Sequence, residues 1–293
     1  MPIKDSELIL NADGSIYHLN LKPENIANTV ILVGDQDRVE KVTKHFETID
    51  FETQKREFKT QTGIYKGKRL SVISTGIGPD NIDIVLNELD ALLNIDFKTK
   101  EIKNQLKSLN IVRIGTSGSL QKNIPVDSFL SSSYGLDING MLHSYKIESI
   151  TNPDIESAFI NHTNWSKDKA RPIVVKASEK LLEVFRGSQM FEGLTATAGG
   201  FYGPQGRVLR LPIQDENLNS IMGSFNFKGT QITNFEMETS AIYGLSELLG
   251  YHAVSLNAII ANRANGTFSK NTSKVIDDLI VYALHKIVEK ITD

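Results

Sequence analysis

One feature constrains this chain more than any other: short β-branched runs alternate with stretches whose apolar residues recur at helical spacing. Such an alternation predicts a sheet covered by helices. The runs place strands at Thr29–Val33, Leu70–Thr75, Asn110–Ile114, Phe129–Ser132, Pro172–Val175, Leu194–Thr197, Gln231–Asn234 and Ala253–Ile260. Helices are expected at Asp37–Thr48, carried by Val39, Val42 and Phe46, and at Asn81–Leu93, carried by Ile82, Val85, Leu86, Leu89 and Leu93. A third is expected at Phe235–Leu249, with Met237, Ala241, Leu245 and Leu248 in line and Gly250 as its C-terminal cap. A last helix, Ser273–Ile291, should pack on the outside, and the polar, lysine-rich Asp96–Lys107 reads as a solvated loop or helix. No repeat, low-complexity tract or linker divides residues 1–293, so one domain is expected.

Composition narrows the function. The 32 Lys and Arg against 35 Asp and Glu give a net charge of −3, which supplies no electrostatic reason to expect a nucleic-acid partner. With no cysteine there is no disulfide, thiolate zinc site or cysteine nucleophile. The opening MPIKDSELIL is too short and polar for a secretory signal. No run approaches the roughly 18 apolar residues of a membrane helix. A cytoplasmic protein with no membrane partner is the expectation.

Glycines follow three of the strands: Gly34, then Gly76 and Gly78, then Gly115 and Gly118. They serve tight turns, or they mark the carboxyl ends of strands where open α/β sheets bind ligands. Gly34-Asp35-Gln36-Asp37-Arg38 leads into a helix, and Arg38 on its first turn could fork onto an oxyanion. In Arg113-Ile114-Gly115-Thr116-Ser117-Gly118, an Arg inside an apolar strand needs an anionic ligand or an internal carboxylate. Glu236 and Glu238, in Asn234-Phe235-Glu236-Met237-Glu238, could bind a diol or merely favour a helix N-terminus. Phe201-Tyr202-Gly203-Pro204-Gln205-Gly206-Arg207 gathers a ring that can stack, an amide that can match adjacent donor and acceptor atoms, and a guanidinium. It also reads as a polar surface loop.

These four motifs, in this order, resemble the nucleoside phosphorylase-I superfamily, and most of all its uridine phosphorylases. The likeness runs from Tyr17-His18-Leu19 through the last helix. It implies an α/β single domain whose mixed, twisted central sheet closes partly into a barrel flanked by helices. It also implies that Gly34, Arg38, Arg113 and Thr116 hold phosphate, with Arg56 reaching the phosphate of a neighbouring subunit. Ribose would fall to Thr116, Met237 and Glu238, and to His18 across the subunit interface. Uracil would fall to Phe201, Gln205 and Arg207, supported by Arg263. Where bacterial purine enzymes typically carry an Asp, Ile259-Ile260-Ala261-Asn262 has no acid.

The resemblance implies a homo-oligomer, hexamer or dimer, with sites shared between subunits. Some bacterial members bind a monovalent cation between subunits through a Glu, an Ile carbonyl and a Ser. Glu57 and Ile77 match, Asn81 stands at the Ser position, and potassium would be the ion. Two further departures are Gln36, where Pro is common, and Asp80, a carboxylate beside an expected phosphate pocket. The implied reaction is phosphorolysis of uridine, with 2′-deoxyuridine or thymidine as further substrates, to uracil and ribose 1-phosphate. Inorganic phosphate is the co-substrate, no cofactor is required, and Arg113, Gln205, Arg207 and Glu238 carry catalysis. The competing readings are a purine nucleoside phosphorylase, a nucleosidase that uses water, and a catalytically weak nucleoside-binding member.

Overall fold

The alternation resolves into one large sheet and its helices. The computed structural model describes residues 2–291. In chain order it holds β1 (Thr29–Val33), α1 (Gln36–Thr43), β2 (Thr48–Lys55), β3 (Phe58–Tyr65), β4 (Lys68–Ser74), α2 (Pro79–Asn94), β5 (Ile95–Asp96), β6 (Glu101–Ile102), β7 (Asn110–Ser119) and β8 (Phe129–Asp137). There follow α3 (Pro153–Thr163), β9 (Ile173–Lys176), α4 (Glu179–Phe185), β10 (Met190–Thr197), α5 (Leu218–Ser224), β11 (Asn226–Phe227), β12 (Thr230–Glu236), α6 (Thr239–Leu248), β13 (His252–Asn262), β14 (Thr267–Phe268) and α7 (Thr272–Lys290). The continuous apolar run of β1 has a simple cause. Val30 and Leu32 pack with α2 and α6, while Ile31 and Val33 pack with α1, α4 and α7. A strand covered on both faces has no polar side to alternate. Among the described residues no helix is long and apolar enough to cross a membrane.

The sheet order is β11-β12-β10-β8-β13-β7-β1-β4-β3-β2, and a further pairing joins β12 to β7. That pairing closes β7, β13, β8, β10 and β12 into a ring, the partial barrel that the resemblance implied. Closure is local: antiparallel pairing links Asn234 to Ser119 and Phe235 to Gly118, at the carboxyl ends of both strands. Loops leaving β7, β12 and β13 are thereby drawn to one place. The remaining strands form a wing, with β1 and β4 parallel to β7 and β3 and β2 antiparallel beyond them.

Several elements differ from the sequence reading. The first helix stops at Thr43, because tightened turns from His45 to Val42 and from Phe46 to Thr43 lead the chain into β2. The β2–β3 hairpin has no hydrophobic signal: β2 is a mostly exposed edge, and β3 buries Lys59, Thr60, Gln61 and Thr62 between its neighbours. The helix expected from Phe235 begins at Thr239, since Phe235 and Glu236 still belong to β12. Its end is as expected. Gly250, at φ +74°, donates to Glu247, and Tyr251 donates to Ser246, which satisfies the last carbonyls. Residues 96–107 form a loop with a two-residue pairing, β5–β6, rather than a helix.

Candidate active site

At the ring's closure point a cavity of about 290 Å³ opens, lined among others by Gly34, Arg38, Arg113, Thr116, Phe201, Gln205, Arg207, Met237 and Glu238. Segments scattered over two hundred positions of sequence therefore share one wall. A larger hollow of about 650 Å³ lies against the same 201–207 loop, among Trp165, Leu209 and Leu211. It shares Arg207 with the first cavity but includes none of the phosphate or ribose candidates, most of which line the smaller one.

At one end the charges are paired. Asp35 caps α1 by accepting the Arg38 amide at 2.9 Å, and its other oxygen takes the Arg38 guanidinium at 2.8 Å. Burial, with Arg113 nearby, holds Arg38 below the usual guanidinium range. Arg113 is buried and donates to Glu238 at 2.5 Å, to Asn257 at 3.1 Å and to Ser255 at 3.3 Å, with Glu236 at 3.3 Å. Burial works against its charge, but the two carboxylates outweigh it and keep Arg113 above its ordinary value. The internal ion pair weighed as an alternative from sequence is thus realised, in a residue that also lines the cavity. Gly115 permits it, because a Cβ there would lie 2.1 Å from the guanidinium.

Both carboxylates line the cavity, and Glu236 takes the helix-terminus role. It accepts from the Glu238 and Thr239 amides at 2.9 Å, and from the Thr197 hydroxyl at 2.7 Å. Burial pushes its carboxyl above the usual range despite Arg113. Glu238, at the cavity wall, accepts the Gly78 amide at 2.8 Å in addition to Arg113. The glycine loop after β4 is thereby tied to the helix junction after β12.

The other end is built differently. Gln205 is buried, and its Oε1 accepts from both Arg207 at 2.7 Å and Arg263 at 2.6 Å. A flipped amide would set donor against donor, so the two guanidinium groups fix its orientation. Both lone pairs of Oε1 are used, which corrects the expectation that this amide offers a donor and an acceptor side by side. Nε2 has no protein partner among the described residues. Arg207 also donates to the Phe201 carbonyl at 2.6 Å and lies 3.7 Å above the Phe201 ring. No carboxylate pairs with Arg207 or Arg263 among the described residues. Burial lowers the pKa of Arg207, and burial with Arg207 alongside pulls Arg263 down to about 9. Arg263 also donates to the Gln205 carbonyl and Asn219 and faces the Phe235 ring at 5.0 Å. It does not line the cavity itself but stands behind Gln205.

Some expected site residues lie outside this cavity. His18 is bound by Glu88 on α2, at 2.7 Å through Nδ1 and at 3.0 Å through its amide. Arg56 is exposed at the tip of the β2–β3 hairpin. The two share one surface, because Lys55 donates to the Tyr17 carbonyl at 2.5 Å, immediately before His18. Asp80 is exposed on the first turn of α2 and does not line the cavity, so it leaves the pocket's charge alone. Glu57, Ile77 and Asn81 do converge at Gly76. There the Asn81 amide nitrogen faces the Ile77 carbonyl at 3.4 Å, and a Cβ on Gly76 would lie 3.0 Å from Glu57 Cγ. Glu57 and the Ile77 carbonyl are the oxygen donors that one chain brings to this place.

Ser255 and Asn257 were not singled out from sequence as site residues, whereas Gly78 belonged to one of the glycine clusters. The signal was present for the two that were missed. Ser255 and Asn257 are polar residues two apart in an apolar strand, and the register sets them opposite Arg113 and Gly115. Asn262, at the end of the segment where the resemblance would put a purine enzyme's acid, donates to the Gln121 and Ile124 carbonyls at 2.8 Å and serves the fold.

A cavity that sets arginines, paired carboxylates and a guanidinium-held amide at the closure of a partial barrel defines a class. The family model described as the phosphorylase superfamily matches residues 28–291, and the chain belongs to that superfamily. By that membership it is an enzyme of the pentosyltransferase type that its motifs resemble. The chain is 28% identical over 269 residues to a uridine phosphorylase of Thermococcus kodakarensis, covering 89% of this chain and 83% of that protein. It is 25% identical over 276 residues to a DeoD-type purine nucleoside phosphorylase of Bacillus subtilis, covering 92% and 98%. Among solved structures it is similar to a Trypanosoma brucei nucleoside phosphorylase that shows uridine phosphorylase activity. There the TM-score is 0.87 at 27% identity, over 97% of this chain and 100% of that one.

Proposed function

We propose that this nucleoside phosphorylase acts on uridine, and on 2′-deoxyuridine or thymidine as secondary substrates, giving uracil or thymine and the pentose 1-phosphate. The observation that carries the reading is the base end of the cavity. Gln205 Nε2 and the Arg207 guanidinium are donors in a region with no compensating carboxylate among the described residues. A uracil leaving through N1 spreads its negative charge over two carbonyl oxygens, which two such donors match. Hydrogen bonds that strengthen as this charge grows lower the barrier rather than merely tightening binding. A 6-oxopurine offers one exocyclic carbonyl and asks for an acid near N7, and Asn262 supplies none.

In this reading phosphate lies against Gly34, Arg38 and Thr116 and attacks the anomeric carbon as the glycosidic bond lengthens. Arg56 of a neighbouring subunit adds a cation, and His18 of that subunit meets the 5′-hydroxyl. Glu238 accepts from the ribose hydroxyls, and Arg113 holds Glu238 in place while facing the phosphate. Met237 and Phe201 pack on sugar and base. The C–N bond electrons leave on the base, the C–O bond to phosphate forms, and no covalent enzyme intermediate is needed. A homo-oligomer, a cytoplasmic location, and phosphate as the sole co-reactant belong to the same proposal.

The test is release of free base from uridine, with and without phosphate, beside inosine and thymidine. Phosphate-dependent release of uracil, with inosine much slower, is the expected result. Release without phosphate would make the chain a nucleosidase, and a preference for inosine would make it a purine enzyme. Binding without turnover would leave a nucleoside-binding protein.

A further inference from the structure

Gln36 replaces the Pro common in the related turn, and the replacement makes contacts a proline could not. Its Nε2 donates to the carbonyl of Arg56 at 2.5 Å, and its Oε1 accepts from Gln54 at 3.0 Å. Turning the amide over would set its oxygen against the Arg56 carbonyl and its nitrogen against that of Gln54, so both contacts fix one orientation. The residue it grips needs holding. Arg56 is exposed at a hairpin tip and occupies the left-handed region, at φ +55°, which an Arg rarely adopts. On the far side of the tip, Lys55 is tied to the Tyr17 carbonyl and to Asn11. Gln36 itself is the first residue of α1, directly between Asp35 and the helix turn that carries Arg38. The tip is therefore clamped from the cavity's own oxyanion turn on one side and from the His18 segment on the other.

We infer that Gln36 is a positioning residue for Arg56, presetting the direction in which that guanidinium leaves the subunit. The inference rests on the proposed reading of Arg56 as a phosphate ligand for a neighbouring site. Fixing the backbone that carries a long side chain removes part of the freedom otherwise lost on binding phosphate. The effect belongs to phosphate and not to uridine.

Two variants remove the donor by different routes. Gln36→Glu keeps size and shape. Gln36→Pro is compatible with the first position of a helix whose preceding residue, Asp35, is already extended at φ −130° and ψ 156°. Each should raise the phosphate KM about fivefold, the size of one neutral hydrogen bond, and leave the uridine KM within about twofold. Arg56→Ala should raise the phosphate KM about 25-fold, as for a charge-assisted bond roughly twice as strong. In the Arg56→Ala background, Gln36→Glu should add nothing, since both changes act through one contact. If Arg56→Ala matters and the Gln36 variants do not, the positioning role is wrong while the reading of Arg56 stands. If Arg56→Ala leaves phosphate KM unchanged, both fall. Equal rises in the phosphate and uridine KM for the Gln36 variants would mark a general structural role and overturn the inference.

Discussion

The two ends of the cavity solve the burial of arginine in opposite ways. Where ribose and phosphate are proposed to sit, each guanidinium has a carboxylate: Asp35 for Arg38, and Glu238 with Glu236 for Arg113. Where the base is proposed to sit, Arg207 and Arg263 share one neutral amide oxygen and, among the described residues, no carboxylate. The first end is close to electrically balanced before any ligand arrives, so its arginines and carboxylates can fix geometry. The second carries uncompensated positive charge in a partly buried place, at a standing cost that a negative charge would relieve. Such an end favours a group that becomes anionic during the reaction over one that is neutral throughout.

The comparison is most sharply broken at Arg113. Replacing it with Ala leaves Glu236 and Glu238 buried without their shared cation, and should cost about 3–5 kcal/mol of stability in urea unfolding. Uridine phosphorolysis should fall with it. A loss below about 1 kcal/mol would show that this end is not held by its ion pairs. Arg207→Ala tests the opposite end: turnover of uridine should drop about 10²- to 10³-fold while the phosphate KM moves little. Parallel losses in both parameters would take this loop away from the base. The smallest effect on stability is expected at Arg263. Arg263→Met removes a charge with no carboxylate among the described residues but strips the Gln205 and Asn219 acceptors of their donor, so unfolding free energy should fall by about 1–3 kcal/mol, less than at Arg113. Turnover should fall about tenfold as well, because Gln205 loses one of the two groups that orient it. A loss as large as that of Arg113→Ala would mean the two ends are alike after all.

Much of the fold was legible because burial on both faces of β1, β4, β7 and β13 required continuous apolar runs. The hairpin β2–β3 was not, since its inner strand buries threonines and a glutamine that carry no hydrophobic signal. The same contrast holds within the site. Arg113 stood out in sequence because a charge in an apolar strand demands a partner. Which partner it had was undecidable there, since an anionic ligand and an internal carboxylate satisfy the same need. For Gln205 the residue types suggested base recognition, yet the commitment of its oxygen to two arginines depends on Arg263, 58 positions away in sequence.

The sequence by itself determined the kinds of groups available: five arginines in strands, turns and loops, two carboxylates at a strand–helix junction, a Gln and a Phe in a turn, and no thiol. Local spacing also set eight of the strands, four of the helices and the glycine cap of α6, because those depend on neighbours within a few residues. Only the tertiary structure decided how the charges are distributed. Ring closure between β7 and β12 brings Arg113 to Glu238, and the exit from β13 carries Arg263 to Gln205. Electrostatic pairing depends on distance in space and on burial, and neither is carried by separation along the chain.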